Sequence, residues 1–170
     1  MGGFATYSLL LYIGTSQPLG KSFLSLSCSL ELVLSKDAMD IVDFREYCLS
    51  LPEVEECLPF DEVTLVFKVA GRMFTVVGLD NPIGFVVKCD PDRAIALRDK
   101  YEQVKAAFHF NKRHWNSIRF VGALSDEELR REIRHSYLLV VKQNVTPKAR
   151  RLEVLKMAEN EGITDDAERF

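Results

Sequence analysis

Residues 63–89 read VTLVFKVAGRMFTVVGLDNPIGFVVKC, and this stretch decides the fold. It holds three short runs in which apolar side chains recur at every second position, as Val63, Leu65, Phe67 and Val69 do in the first run. The letters AGR separate the first run from the second, and DNPIG separates the second from the third. Alternating runs joined by such short turns predict a three-stranded antiparallel meander.

Helical signals stand on both sides of the meander. Before it, apolar residues at helical spacing follow Asp40, a favourable N-terminal cap, and the pattern ends at Pro52. After it, Asp90 precedes a proline, a pair that often starts a helix. These signals predict helix one over 40–51 and helix two from Asp90. The acidic, proline-containing residues 52–62 are predicted to form a loop between helix one and the meander.

A hairpin with a basic tip is predicted next along the chain. Residues 106–110 and 117–121 alternate like strands on either side of NKRHWN, which occupies 111–116. Phe108 and Phe110 are expected to share one face of the first strand. The tip is expected to present its cations to solvent.

Two helices are predicted after the hairpin. Ser125 and Glu128 have the spacing of a capping box at the start of helix three. Helix four is expected to start at Thr146-Pro147, and its first turns, KARR, are basic. The predicted order is α-β-β-β-α-β-β-α-α, which indicates an α+β domain. We expect an antiparallel sheet of about five strands with helices packed on one side of it.

The chain divides into three parts by composition. Residues 1–38 are rich in Ser, Leu and Gly, and we expect a non-native or weakly structured extension ahead of a natural start at Met39. Residues 39–158 are expected to form a single domain, and 159–170 an acidic C-terminal tail. No apolar run approaches the roughly 18 residues of a membrane span, and the four cysteines are widely spaced. We therefore expect a cytoplasmic protein without a membrane partner.

The net charge of -3 conceals a segregation of charge along the chain. Residues 40–62 hold eight acids and one base, and 159–170 hold five acids and one base. Between them, 63–125 hold ten bases and five acids, and 126–158 hold eight bases and five acids. A basic body between two acidic ends permits binding to a polyanion.

Residue chemistry gives little support to catalysis or metal binding. His109 and His114 lack the spacing and the additional ligands of a closed metal site. Cys89 continues the buried face of its predicted strand, so a structural role is expected. Neither a serine nucleophile motif nor a phosphate-binding glycine loop occurs in the sequence. We therefore predict no catalytic residue, no metal site and no cofactor.

Nucleic-acid binding is the interpretation that most of the unusual residues share. Lysine and arginine side chains at a hairpin tip and at a helix start can reach phosphates, and the single tryptophan can stack on a base or sugar. The candidate nucleic-acid-binding residues are Lys88, Lys112, Arg113, His114, Trp115, Arg119, Lys148, Arg150 and Arg151.

Five segments also carry a family pattern, namely REYCLSLPEVEECLPFDE, TLVFKVAGRMF, VVKCDPDRAIALRDKYEQV, FHFNKRHWNSIRF and SYLLVVKQNVTPKAR. Through them the chain from Met39 to about Lys156 resembles the MmcQ/YjbR family of small bacterial proteins. The resemblance implies a CyaY-like α+β fold, related in shape to frataxin, with a double-wing arrangement for DNA binding and no catalytic residues. The positions that match the family's motifs are Phe60, Asp61, Lys88, Asp90, Asn111, Lys112, His114, Trp115, Asn116, Pro147 and Lys148.

We therefore expect a DNA-binding or regulatory accessory protein rather than an enzyme. The hairpin would act as a wing, and the basic start of helix four would also contact the phosphate backbone. One alternative is a module that binds a partner protein or a small anionic ligand in a pocket joining Lys88, His114 and Trp115. Another, which the frataxin-like shape implies, is weak iron binding at the acidic helix one.

Overall fold

A computed structural model of the chain describes residues 38–165. The extension predicted over 1–38 therefore lies outside the described residues, apart from Ala38. The helices are α1 (Ile41–Ser50), α2 (Pro91–Lys100), α3 (Asp126–Asn144) and α4 (Lys148–Asn160). The strands are β1 (Val54–Cys57), β2 (Thr64–Val69), β3 (Arg72–Gly78), β4 (Gly84–Lys88), β5 (Val104–Ala106) and β6 (Trp115–Arg119).

Within the described residues, six strands form one antiparallel sheet in the order β1-β2-β3-β4-β6-β5. The predicted meander is confirmed as β2, β3 and β4. Ala70 and Gly71 join β2 to β3 with φ values of 47° and 73°, the left-handed backbone of a two-residue hairpin turn. A bulge between Phe67 and Lys68 leaves Phe74 as an extra residue on β3.

All four helices bury one face of the sheet in a shared core. Phe44 of α1 lies against the rings of Phe67 and Phe85, with centroids 5.5 and 4.8 Å apart. Tyr137 of α3 meets Phe74 edge-on at 5.7 Å. The predicted α+β class, with helices packed on an antiparallel sheet, is confirmed. Across residues 38–165, every helix is too short or too polar to cross a membrane.

The predicted helix starts are also confirmed. Asp40 caps α1 by accepting a hydrogen bond from the backbone N of Asp43 at 2.9 Å. Asp90 caps α2. At the start of α3, the Ser125 hydroxyl accepts from Glu128 N at 3.4 Å, and Ser125 N donates to Glu128 Oε2 at 2.8 Å. Each cap supplies a hydrogen-bond acceptor to backbone N–H groups that have no partner within the first turn of the helix.

The loop predicted over 52–62 is wrong for part of its length. Val54–Cys57 forms β1, an edge strand that pairs with β2. Two adjacent glutamates concealed this strand, because glutamate is uncommon in strands. Glu56 is held by Arg45 of α1, whose Nε donates to its carboxylate at 2.7 Å. An edge strand tolerates charge well, and the observed order α-β-β-β-β-α-β-β-α-α has one strand more than predicted.

The predicted hairpin is present, but its first strand is shorter than expected. β5 pairs with β6, and Ala107 N donates to the Trp115 carbonyl oxygen at 3.1 Å where the two strands separate. Residues 108–114 form a loop, which we name the β5–β6 loop. Phe108 and Phe110 therefore do not share a strand face. Phe108 is exposed, whereas Phe110 packs on Trp115 with ring centroids 4.9 Å apart.

Part of the predicted acidic tail is folded against the helices. α4 extends beyond residue 159 to Asn160, and Ile163 packs against the core. Asp165 Oδ1 lies 3.1 Å from Nδ1 of His135 on α3, and Asp165 Oδ2 accepts a hydrogen bond from Lys142 Nζ at 3.4 Å. Partners on α3 thus hold the acidic segment as far as residue 165, and 166–170 lie outside the described part of the chain.

The Asp165 contact predicts that stability depends on pH. The hydrogen bond from His135 lowers the pKa of Asp165 from 3.8 to about 2. A carboxylate whose pKa falls on folding stabilises the fold above its unfolded pKa and loses that contribution as the pH falls through its folded pKa. We expect Asp165→Asn to lower the free energy of unfolding by about 1 kcal/mol near neutral pH. Urea unfolding should show this difference shrinking from about pH 4 towards pH 2, and a difference independent of pH would contradict the assignment.

Candidate nucleic-acid interface

The β5–β6 loop is built around Asn111. Its side-chain Oδ1 accepts a hydrogen bond from Arg113 N at 3.0 Å, and its carbonyl oxygen accepts one from His114 N at 2.9 Å. Cys89, the residue after β4, donates its N–H to the His114 carbonyl oxygen at 2.7 Å. These bonds turn the chain and tie the end of the loop to β4. Lys112 and Arg113 stand at the turn with exposed side chains.

Arg98 of α2 holds the same loop from the helix side. Its Nε donates to Asn116 Oδ1 at 2.6 Å, and its Nη2 donates to the carbonyl oxygens of Lys112 and, at 3.3 Å, of Trp115. Asn116 is fully buried, and its Nδ2 donates to the Ala94 carbonyl oxygen of α2 at 3.3 Å. The rigid guanidinium fork thus connects the helix to both ends of the basic turn.

Arg98 is not among the residues that the sequence predicts for this site. A cation in the last turn of a helix is ordinary, because it interacts favourably with the helix dipole, so the sequence carries no signal that distinguishes this one. Asn116, one of the positions that match the family motif, is a buried structural residue rather than part of the surface. The motif NKRHWN therefore combines residues that build the loop with residues that it displays.

The displayed side chains are cationic and aromatic. Lys112, Arg113, Phe108 and His109 are exposed, and Trp115 is half-buried beneath the loop. Residues 103–125 contain no aspartate or glutamate. The loop therefore keeps its positive charge free of acidic neighbours in the chain, which favours an anionic ligand.

Lys88 connects the loop to the helices. It is paired with Trp115 in the sheet, and its ammonium donates to Asn144 Oδ1 at the end of α3, 2.5 Å away. Partial burial lowers the pKa of Lys88. Arg151 of α4 donates to the Lys142 carbonyl oxygen at 3.0 Å, which holds the start of α4 against the end of α3. The two basic elements predicted from sequence are therefore linked through Lys88 at one end of the sheet.

The three predicted cations of α4 differ in their surroundings. Lys148 is exposed. Arg150 donates to the carboxylates of Glu53 and, at 3.3 Å, of Glu153, so its charge is locally offset. Arg151 remains half-buried with a carbonyl partner. The β5–β6 loop, Lys88 and the start of α4 lie at the same end of the sheet, and we name the loop, Lys88, Lys148 and Arg151 together the basic end.

Arg119 does not lie at the basic end. It is the last residue of β6, four positions after Trp115, which separates the two by about 13 Å along an extended strand. In the sheet it pairs with Gly84, at the start of β4. It lines an apolar cleft of about 760 Å³ together with Ile83 and Val121. The predicted binding surface groups Arg119 with the hairpin tip, but the length of β6 separates it from that surface.

Four acids of helix one and the segment after it, the region proposed for weak iron binding, have other partners. Asp40 and Asp43 form the capping box of α1, and Glu56 accepts from an arginine of that helix. The hydroxyl of Thr64 donates to Asp61 at 2.9 Å, and this bond is the main cause of its lowered pKa. Among residues 38–165, no group of three or more His, Cys, Asp or Glu side chains is placed to hold a metal ion.

Cys89 is buried, as the strand pattern predicted. Burial raises the pKa of its thiol from 9.0 to about 12. Because the thiolate is the reactive form, this cysteine is a poor nucleophile at neutral pH. Its location beneath α2 and α3 suits a structural role.

Comparison with known proteins identifies the family. Residues 49–139, more than half of the chain, match the family model described as YjbR. The chain belongs to the YjbR family. The matched residues of this YjbR domain include all of α2 and the β5–β6 loop, while Lys148 and Arg151 lie beyond them.

Relatives of known sequence and structure agree with this assignment. Protein YbdF of Escherichia coli O157:H7 is 34% identical over 98 residues, covering 57% of this chain and 80% of YbdF. YjbR of Escherichia coli strain K12 is 28% identical over 114 residues, covering 66% of this chain and 95% of YjbR. The crystal structure of Deinococcus radiodurans protein DR2400, with domain DUF419, is 34% identical, with a TM-score of 0.65 over 78% of this chain and 94% of that one. A crystal structure of a Pseudomonas syringae protein shares the fold. It is 21% identical, with a TM-score of 0.51, and the match covers 59% of this YjbR chain and 98% of that chain.

Proposed function

We propose that this YjbR-family protein binds DNA through its basic end and has no chemistry of its own. The observation that carries the proposal is the Arg98 clamp. It fixes the backbone of the β5–β6 loop while the side chains of Lys112 and Arg113 remain exposed. A turn whose backbone is held by hydrogen bonds and whose two cations are exposed suits the phosphate backbone, which lies at a regular spacing.

The second basic element supports the same ligand. Lys88 joins the loop to the end of α3, and the exposed Lys148 follows at the start of α4. Both elements lie at one end of the sheet, so one polyanion can contact them together. The chain as a whole carries a net charge of -3, so binding should be local and should weaken steeply with salt.

Removing the two cations of the turn tests the proposal. We expect Lys112→Ala with Arg113→Ala to weaken DNA binding at low salt at least about tenfold. The slope of log affinity against log salt should fall by about 2, because each phosphate contact contributes nearly one unit. Fluorescence anisotropy with labelled DNA over a range of salt concentrations measures both quantities.

The matched control removes two exposed cations elsewhere. Arg119→Ala with Lys156→Ala changes the net charge equally but leaves the basic end intact. It should retain nearly the full affinity and slope. Equal losses in both double variants would mean that net charge alone governs binding, and undetectable binding of the unchanged protein at low salt would overturn the proposal.

A further inference from the structure

Phe108 is the most exposed large apolar side chain among residues 38–165, with 82% of its surface accessible. The other aromatics of the hairpin are packed. Phe110 and Trp115 contact each other, with ring centroids 4.9 Å apart. Phe108 meets the adjacent exposed ring of His109 edge-on, with ring centroids also 4.9 Å apart. An exposed phenylalanine forgoes the free energy that burial of its ring would give, so its presence at a functional surface indicates a ligand.

The backbone on both sides of Phe108 is anchored. Just before it, β5 pairs with β6, and Ala107 N donates to the Trp115 carbonyl oxygen at 3.1 Å. Just after it, Asn111 builds the turn that Arg98 holds. The backbone that carries the ring is therefore held in place before a ligand binds. Less conformational entropy of the loop is then lost on binding.

Exposed cations flank Phe108 along the chain. Lys105 on β5 and Lys112 and Arg113 on the loop are exposed, and no acid occurs between Gln103 and Ser125. Duplex DNA offers phosphates to such a surface but hides the faces of its bases in the stack. A single strand offers both phosphates and open base faces, and aromatic rings beside cations are the usual means of binding it.

We infer that the basic end takes single-stranded DNA, with Phe108 stacking on an unpaired base and Lys112 and Arg113 contacting the flanking phosphates. This inference rests on the proposed function, because it uses the same surface and the same cations. It adds that the protein prefers single-stranded DNA to duplex DNA. It also assigns Phe108 a contribution to binding that comes from stacking and not from charge.

The test compares one DNA sequence as a labelled single strand of about 20 nucleotides and as its duplex, titrated with the full chain at low salt. The unchanged protein should bind the single strand roughly tenfold more tightly or better. Phe108→Ala should weaken single-strand binding roughly ten- to hundredfold, the range for loss of one stacked base, and should leave duplex binding and the salt slope unchanged. Phe108→Trp should retain single-strand binding.

Val121→Ala is the matched control, because Val121 is an apolar residue that is 74% exposed at the opposite end of the same hairpin. It should bind both probes like the unchanged protein. Equal affinity for the two probes, or no effect of Phe108→Ala, would overturn the inference while leaving the proposed function standing. No binding to either probe would overturn both. Binding to vesicles of anionic and zwitterionic phospholipid that depends on Phe108, without binding to DNA, would instead assign the surface to a membrane.

Discussion

Glu132→Ala is expected to lower the free energy of unfolding by about 3–5 kcal/mol. Glu132 of α3 accepts two hydrogen bonds from Arg93 of α2, at 3.2 Å from Nε and 2.5 Å from Nη2. The two side chains are only 4% and 8% exposed. Removing the carboxylate takes the opposite charge of Glu132 away from a guanidinium in a poorly hydrated site, and this loss costs more free energy than the intact pair contributes.

Glu127→Ala is the matched control, on the same helix and also at a glutamate bound to an arginine. Glu127 lies 2.7 Å from Arg134 but is 62% exposed, so its loss should cost no more than about 1 kcal/mol. Urea unfolding of both variants, followed by circular dichroism, measures the difference. Similar small losses in the two variants would show that water reaches the Arg93–Glu132 pair.

Arg98→Ala should have the second-largest effect, and it should act on stability and binding together. The variant loses three hydrogen bonds and leaves the buried Oδ1 of Asn116 without its donor, which costs about 2–3 kcal/mol. DNA affinity should fall roughly tenfold, because the turn that displays Lys112 is no longer held. The salt slope should stay close to that of the unchanged protein, since the cations of the turn remain.

Arg98→Lys separates charge from geometry. Lysine keeps the positive charge but lacks the planar fork that reaches a side chain and two carbonyls at once, so most of both losses should persist. Hydrogen exchange at the amides of Arg113 and His114, which the turn protects, should accelerate in both variants. Full recovery of stability and affinity by lysine would show that charge at this position suffices.

Together, the two predictions assign α2 a supporting role. Arg93 binds the helix to α3 through Glu132, and five residues later Arg98 binds the β5–β6 loop to the helix. Through these contacts α2 holds the surface loop in a fixed position relative to the core. A loop with this support can display cations with little loss of entropy on binding.

Much of the fold follows from local patterns. The alternation in β2 to β4, the left-handed turn at Ala70-Gly71 and the caps at Asp40, Asp90 and Ser125 all act over a few residues. Such signals survive in a sequence because neighbouring residues alone satisfy them. The class of the fold and the family resemblance were therefore predictable, as was the concentration of cations near the hairpin.

Contacts between segments that are distant in the sequence could not be predicted from such local signals. β1 exists because β2 offers it an edge and Arg45 neutralises Glu56, although its own residues disfavour a strand. Arg98, which lies outside the hairpin, holds the β5–β6 loop, and nothing in the spacing of the residues indicates this contact. The distance of Arg119 from the basic end does follow from its four-residue separation from Trp115.

For this protein, periodicity, caps and turns were enough to define the antiparallel α+β fold and to mark NKRHWN as an unusual segment. The exposure of Lys112 and Arg113 was expected from the sequence, whereas tertiary structure alone decided that the asparagines build the loop and that Phe108 is also exposed. The physical reason is the range of the forces involved. Local hydrogen bonds and hydrophobic alternation are encoded within a few residues, whereas the Arg98 clamp requires a helix and a strand to meet across 18 positions of the chain.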